Sequence, residues 1–197
     1  MTGRMIRRGF LGLGLGLGLL AAAPLSAQTD PENVLVIEVD GEAKGVVEIA
    51  LRPDLAPAHV ARIQELARTG QYDGVVFHRV IDGFMAQTGD VEFGKAGAAP
   101  GRAGTGGSKL PDLPAEFSDT PFEKGVVGMA RTMDPNSANS QFFIMFAPAP
   151  SLDGQYTVVG EVISGQDVVD AIKRGVPPNG AVADPDVMTR VHLKSDG

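Results

Sequence analysis

The sequence contains no cysteine, no tryptophan and only three histidines among its 197 residues. The lack of cysteine excludes disulfides, thiolate nucleophiles and cysteine-based metal sites, so packing alone must hold the fold together. His59, His78 and His192 lie far apart and lack the spacing of paired metal ligands. We therefore expect no metal site.

Positive charge is also scarce, with 17 basic against 24 acidic residues and a net charge of −7. Arg4, Arg7 and Arg8 are the only charged residues among the first 27, so the remainder carries a net charge of about −10. A surface this acidic repels phosphate backbones and anionic lipids. Nucleic-acid binding and membrane-surface roles are therefore disfavoured.

The amino-terminal segment has the order of a signal peptide. Its arginines precede an apolar run from Phe10 to Ala23, and small residues end it at Ala27. We predict cleavage after Ala27, which leaves residues 28–197 as one domain. A retained anchor helix is the alternative, but the run is short for a membrane span. The pair Arg7-Arg8 resembles a twin-arginine export signal, although ordinary export signals also carry adjacent arginines.

The remaining chain reads as short strands separated by Gly, Pro and Asp, with two helices. We predict two strands within Val34 to Leu51, joined near Asp40-Gly41. A helix is predicted from Pro57 to a stop at Gly70, and a second helix from Asp167 to Lys173. Further strands are predicted at Val75 to Val80, Phe84 to Gln87, Gly125 to Met129, Gln141 to Phe146, Thr157 to Val162 and Met188 to Leu193. This pattern indicates a mainly β fold, a closed antiparallel sheet capped by two helices.

Motifs for ordinary group transfer are missing. The segment from Gly94 to Pro114 reads as a long surface loop, and its GRAGTGGSK lacks the Gly-Lys-Ser/Thr order of a phosphate-binding loop. Ser137, Ser140 and Ser151 lie in no nucleophile elbow. Nucleotide-dependent and serine-hydrolase chemistry are therefore disfavoured.

A cationic residue stands within an apolar strand in FHRVIDGFMAQTGD (Phe77 to Asp90). Alternation along the strand predicts Phe77, Arg79 and Ile81 on one face and His78 and Val80 on the other. A lone arginine in such a place is more often structural than functional. The pattern alone leaves both interpretations open.

Three segments are similar to consecutive signature blocks of the cyclophilins. They are Phe77 to Asp90, GVVGMARTMDPNSANSQFFIMF (Gly125 to Phe146) and LDGQYTVVGEVISGQDVVDAI (Leu152 to Ile172), in the family's order and spacing. The similarity extends from about Val34 to Leu193. It implies a closed eight-stranded antiparallel β-barrel capped by two α-helices, with peptidyl-prolyl cis-trans isomerase activity on its outer surface and no cofactor.

The resemblance also implies roles for individual residues. Arg79 matches the catalytic arginine, and His78 matches a supporting residue. The expected substrate-binding residues are Phe84, Met85, Phe143 and Leu152 around the proline ring, Gln87 and Gln141 beside it, Ala130 and Arg131 along the peptide, Tyr156 at the pocket, and Gly104 and Thr105 at the rim of a second pocket.

Two departures from the family pattern concern inhibitors. Ser151 stands where tryptophan is frequent, and Tyr156 where histidine is frequent. Arg79 and the ring pocket remain, so isomerisation is still expected. Tight binding of cyclosporin-like cyclic peptides is not expected, because a large hydrogen-bonding aromatic edge is lost.

The sequence thus predicts an exported monomer that acts in the periplasm or another extracytoplasmic space. Its expected partners are proline-containing polypeptides, such as folding exported proteins, without nucleic acid or stable membrane association after processing. The alternative is a chaperone or assembly factor that binds proline-containing segments without turnover.

Overall fold

The computed structural model describes Met1, residues 29–98 and residues 101–197. Apart from Met1, the predicted signal peptide and its cleavage site lie outside the described residues. Within the described part of the chain, no helix has the length and apolar character needed to cross a membrane.

Within the described residues, nine strands form one antiparallel sheet that curls into a half-barrel, accompanied by two α-helices. The strands are β1 (Val34–Asp40), β2 (Gly45–Leu51), β3 (Val75–Val76), β4 (Arg79–Ile81), β5 (Met85–Thr88), β6 (Val126–Met129), β7 (Phe142–Met145), β8 (Val158–Ser164) and β9 (Val187–Leu193). The helices are α1 (Pro57–Arg68) and α2 (Gln166–Ala171). The order across the sheet is β3-β9-β1-β2-β8-β6-β7-β5-β4. The prediction of a mainly β fold with two helices is confirmed.

The two end strands of this sheet are consecutive in the chain. β3 and β4 stand at opposite ends of the strand order and are joined only by Phe77 and His78. The chain itself therefore links the two ends, and no ladder between β3 and β4 exists among the described strands. The closed eight-stranded barrel is not confirmed, because the sheet has nine strands.

The predicted strand from Val75 to Val80 is interrupted, and the interruption changes which side chains share a face. The backbone N–H of Phe77 donates to the carbonyl of Asp186, and that of Val80 donates to the carbonyl of Gly180. Phe77 and Val80 both pack in the main hydrophobic core, which lies between the sheet and α1 and includes Ile37, Ile63 and Leu66. Ile81 packs instead against a second, smaller apolar cluster around Phe122 and Phe143. The prediction that Phe77 shares a face with Arg79 and Ile81 was therefore wrong.

Helix α1 begins at Pro57, as predicted, where a missing N–H costs nothing. Glu116, from a distant loop, caps its first turn by accepting the backbone N–H groups of Ala58 and His59 at 3.2 and 3.1 Å. Gly70 follows the last turn with a φ of +65°, a conformation that suits glycine. The apolar face of α1 is buried in the main core.

Helix α2 is shorter than its predicted range of Asp167 to Lys173. It ends at Ala171 because Ile172 leaves helical geometry and the backbone N–H of Lys173 donates to the buried carboxylate of Asp186 at 2.7 Å. The same carboxylate accepts the N–H of Ala43 at 3.0 Å. Asp186 thereby joins the end of α2 to the turn between β1 and β2.

A second, smaller apolar cluster lies between the sheet and the outer surface. Its buried members are Met85, Phe122, Val126, Phe143, Met145, Ala149 and Val158. The side chains that pack over it from outside are Leu55, Ile81, Phe84, Ala130, Leu152 and Tyr156. This cluster forms the floor of the candidate site.

Candidate active site on the outer face of the sheet

Arg79 is held by two hydrogen bonds at the edge of the sheet. It lies opposite Gln87 in the β4–β5 ladder, and its Nη1 donates to Oε1 of Gln87 at 3.1 Å. Its Nε donates to the backbone carbonyl of Asn179 at 3.0 Å. Nη2 donates to no acceptor within the described residues, so that end of the guanidinium remains able to bind another group.

The orientation of Arg79 is fixed by a relay of side-chain amides. Nε2 of Gln87 donates to Oε1 of Gln141 at 2.9 Å. Nε2 of Gln141 in turn donates to the backbone carbonyls of Gly104 and Gly106 at 3.1 and 2.8 Å. Because each amide uses its oxygen toward Arg79 and its nitrogen away from it, the relay has one direction and presents acceptor oxygen to the arginine.

Asp90 anchors the glycine-rich end of this relay. Its carboxylate is fully buried and accepts the backbone N–H groups of Gly104 and Gly106 at 2.7 and 3.0 Å. The other carboxylate oxygen accepts those of Glu92 and Phe93 at 3.1 and 2.9 Å. Asp90 therefore ties the loop after β5 to the rim predicted at Gly104 and Thr105.

An apolar cavity of about 170 Å³ opens beside Arg79. Its lining brings together residues that are distant in sequence: Arg79, Phe84, Met85, Gln87, Ala130, Arg131, Phe143, Leu152 and Tyr156. The structure thus places the predicted catalytic residue and most of the predicted substrate-binding residues around one cavity. Their roles remain predictions.

Aromatic packing makes the walls of this cavity rigid. Phe143 stacks on Phe122 with ring centroids 5.8 Å apart, and Tyr156 meets Phe143 edge to face at 5.7 Å. Gly128, opposite Phe143 in the β6–β7 ladder, is required here because a Cβ would come within 2.6 Å of both phenylalanine rings. The cavity therefore has a shape fixed by the second cluster.

A second cavity of about 370 Å³ adjoins the first. The two share Gln87, Ala130 and Arg131, and the second is further lined by Glu92, Gly104, Thr105, Gly106, Gly107, Ser108, Asp112, Thr132, Ser137, Asn139 and Gln141. The predicted rim residues Gly104 and Thr105 and the predicted amide of Gln141 lie here.

His78 lies beneath this rim and is buried. Neither ring nitrogen has a hydrogen-bond partner among the described residues. Burial lowers the pKa of the imidazole, although the nearby carboxylate of Asp90 opposes this shift. A Cβ on Gly104 would come within 2.8 Å of the ring, so the glycine permits this packing.

Sequence reasoning missed three residues that organise the site. Asp90 was part of the quoted motif but received no role, and Asn179 acts through its carbonyl, which carries no side-chain signal. Asn139 fixes the loop beside the second cavity, since its Oδ1 accepts the N–H and hydroxyl of Ser108 at 2.8 and 2.7 Å and its Nδ2 donates to the carbonyl of Leu110 at 3.0 Å.

The geometry supplies a fixed cationic hydrogen-bond donor beside an apolar cavity. Such an arrangement favours a bound group that gains electron density at an atom facing Arg79. In the described parts of the chain, no group of three or more His, Asp or Glu side chains is arranged to hold a metal ion.

Comparison with known proteins gives a consistent result. The family model described as cyclophilin type peptidyl-prolyl cis-trans isomerase matches residues 34–193. A probable peptidyl-prolyl cis-trans isomerase of Brucella suis is 56% identical over 181 residues, covering 90% of each chain. A counterpart in Brucella abortus is 55% identical with the same coverage.

Solved structures share the fold. A cyclophilin from Hirschia baltica superposes with a TM-score of 0.70 at 31% identity, covering 86% of this chain and 76% of that one. A cyclophilin type isomerase of Cryptosporidium parvum, crystallised in the presence of the dipeptide Ala-Pro, superposes with a TM-score of 0.68 at 22% identity. It covers 81% of this chain and 98% of the other.

Proposed function

The chain belongs to the cyclophilin-type peptidyl-prolyl cis-trans isomerase family, and we propose that it isomerises X-Pro bonds through Arg79 over the 170 Å³ cavity. The observation that carries this proposal is the placement of Arg79. Its guanidinium is held on one side by Gln87 and Asn179, while Nη2 stays available at the mouth of an apolar cavity.

The reaction requires no bond to be made or broken. Amide resonance resists rotation with a barrier of about 18–20 kcal/mol, while the two X-Pro isomers differ by only about 0.5–1 kcal/mol. In the twisted transition state the prolyl nitrogen loses its conjugation and regains a lone pair. A donor that hydrogen bonds to this lone pair stabilises the twisted state more than either planar state.

Arg79 suits that task because it stays charged and offers several donors in a rigid fork. With Nε and Nη1 engaged by the protein, Nη2 is the group proposed to donate to the prolyl nitrogen. Phe143, Met85 and their neighbours would enclose the proline ring. The apolar walls exclude water and so strengthen the contact from the guanidinium.

Replacement of the arginine tests this mechanism. Arg79→Ala should lower kcat/KM on a proline tetrapeptide by about 100-fold or more, since a preorganised donor to the transition state is lost. Arg190→Ala, which removes an exposed arginine of β9, is the matched control and should keep the wild-type rate. Near wild-type turnover by a folded Arg79→Ala variant would contradict the mechanism.

Refolding of a client protein separates catalysis from binding. A proline-limited client has a slow refolding phase of tens of seconds. An isomerase accelerates this phase, whereas a chaperone that only binds proline-containing segments leaves it unchanged or slows it. We expect acceleration by the wild type and its loss in Arg79→Ala.

We further propose export, with polypeptides that contain proline as clients in the periplasm or another extracytoplasmic space. The order of charged, apolar and small residues in the first 27 positions supports export, and the Ala-Pro dipeptide in the Cryptosporidium parvum crystals supports the substrate class. Mass spectrometry of the extracytoplasmic fraction should find a chain that begins at Gln28. Lysine substitution of Arg7 and Arg8 together should block export only if the twin-arginine route is used.

A further inference from the structure

Arg131 forms the partition between the two cavities. Its guanidinium carbon lies 4.4 Å from the centroid of the Tyr156 ring, at cation–π distance. Nε and Nη2 donate to the carbonyl of Gln155 at 3.2 and 2.9 Å, and Nη1 donates to the carbonyl of Thr132 at 2.9 Å. The guanidinium is therefore fixed in position, and it lines both cavities.

No carboxylate among the described residues forms an ion pair with Arg131. All of its acceptors are neutral carbonyls, and among the ion pairs of the described residues none includes Arg131 or Arg79. Nη1 and Nη2 of Arg131 each keep one N–H without a described acceptor. Two unpaired arginines thus line one small cavity in a protein whose net charge is −7.

The opposite charge begins one cavity further on. Glu92 and Asp112 line the second cavity but not the first. A substrate that runs from the first cavity into the second therefore passes Arg131 directly beside its proline and meets the two carboxylates only beyond that point. An acidic side chain is favoured at the substrate residue beside the proline, which lies at Arg131, and disfavoured at the substrate residues that reach Glu92 and Asp112.

We propose that Arg131 makes this isomerase prefer segments with an acidic residue directly adjacent to the proline. The inference rests on the proposed function, because it assumes that the proline ring occupies the 170 Å³ cavity. Arg131 acts here as a specificity-determining contact: Tyr156 and the carbonyl of Gln155 hold the guanidinium still, and its spare N–H groups are available to a carboxylate.

The test compares proline peptides of equal length that carry Glu, Gln or Lys at one residue flanking the proline, with each flank examined separately. At low salt the wild type should turn over the Glu peptide about three-fold better than the Lys peptide at the flank that faces Arg131, a typical effect of one partly exposed ion pair. The ratio should approach one at about 1 M salt, where the screening length falls to about 3 Å.

Variants then assign the preference to this residue. Arg131→Gln should abolish the Glu/Lys ratio, whereas Arg131→Lys should keep part of it because the charge remains. Arg102→Gln is the matched control, since Arg102 also stacks on an aromatic ring, that of Phe93 at 3.4 Å, but lines neither cavity. It should leave the ratio unchanged.

Equal turnover of Glu and Lys peptides by the wild type at both flanks would overturn the inference, as would an unchanged ratio in Arg131→Gln. Either result leaves the isomerase assignment intact. If no peptide is turned over, the proposed function fails instead, and the charge preference is then read from peptide dissociation constants by fluorescence anisotropy. If Arg131→Gln does not fold, the salt dependence of the wild type and the Arg131→Lys variant decide the question.

Discussion

Gln87 accepts a hydrogen bond from Nη1 of Arg79 at 3.1 Å, and the two residues face each other directly across the β4–β5 ladder. Gln87 is itself oriented by Gln141, which donates onward to the carbonyls of Gly104 and Gly106. The direction of the proposed catalytic donor therefore depends on the glycine-rich loop, although none of the described residues of that loop hydrogen bonds directly to Arg79.

Gln87→Ala should separate positioning from structure. Loss of this acceptor frees the guanidinium to move, and misplacement of a catalytic group by about 1 Å can cost about 100-fold in rate, so kcat should fall by about ten-fold or more. KM for a proline tetrapeptide and the melting temperature should change little, because the ring cavity and core remain. Gln166→Ala, which removes a half-buried glutamine of α2 that lines neither cavity, is the control. If the melting temperature of Gln87→Ala fell together with kcat, the result would instead indicate a structural role.

Asp90→Asn should destabilise the protein. The buried carboxylate accepts four backbone N–H groups, and an asparagine amide would turn a donor toward two of them. Unsatisfied buried donors cost about 1–3 kcal/mol, and we expect a loss of about 2 kcal/mol in the free energy of unfolding from denaturant titration. Asp119→Asn, at an exposed position, should lose almost nothing. Equal stability of the two variants would contradict the anchoring role of Asp90.

Glu116 should make stability depend on pH. Burial raises the pKa of Glu116, but hydrogen bonds from the ring of His59 at 2.6 Å and from the N–H groups of His59 and Ala58 outweigh this, so its pKa lies below the ordinary 4.5. A carboxyl whose pKa is lowered by folding contributes stability above its unfolded pKa and loses it as the pH falls through its folded pKa.

The variant Glu116→Gln measures this contribution. At pH 7 it should be less stable than the wild type by about 1 kcal/mol, the usual contribution of a helix cap. The difference should shrink as the pH falls below 4.5 and through the lowered pKa of the wild-type carboxyl, because the carboxyl is then protonated. Glu123→Gln, at an exposed site, should show no such trend. A difference that stays constant between pH 7 and 3 would show that the ionised carboxylate is not the cause.

Ser151→Trp should strengthen binding of cyclosporin-like cyclic peptides. Ser151 is exposed on the 3-10 turn Pro150–Leu152, beside the wall of the 170 Å³ cavity. A tryptophan here would add apolar contact and an N–H donor, and we expect affinity to rise about ten-fold or more, which corresponds to about 1.4 kcal/mol. Calorimetric titration measures it. If Ser195→Trp, near the carboxyl terminus, raises affinity equally, the effect is not specific to the site.

The sequence predicted those features that local patterns determine. The hairpin of β1 and β2 and the start of α1 at Pro57 follow from alternation and from proline at a first helical turn. The family resemblance placed Arg79 and Phe143 at a common pocket, and the structure brings both to one cavity. Their chemical roles stay predictions until the variants are measured.

Features that depend on distant partners could not be predicted. The break at Phe77 and His78 depends on acceptors at Asp186 and Gly180, about a hundred residues away, and the early end of α2 depends on the same Asp186. The stack of Arg131 on Tyr156 escaped notice for the same reason. In the sequence the two residues were separate members of the expected substrate-binding set, whereas in the structure their side chains form one cation–π pair.

The position of Phe77 and His78 between the two ends of the sheet has a consequence for partly unfolded molecules. The segment that carries Arg79 connects the two ends of the sheet. β4 pairs with β5 at one end of the strand order, while the preceding β3 pairs with β9 at the other. Local unfolding at either end would move the segment between β3 and β4 and displace the guanidinium of Arg79. Isomerase activity therefore depends on the integrity of the entire sheet, and a molecule in which either end strand is unpaired is expected to be inactive.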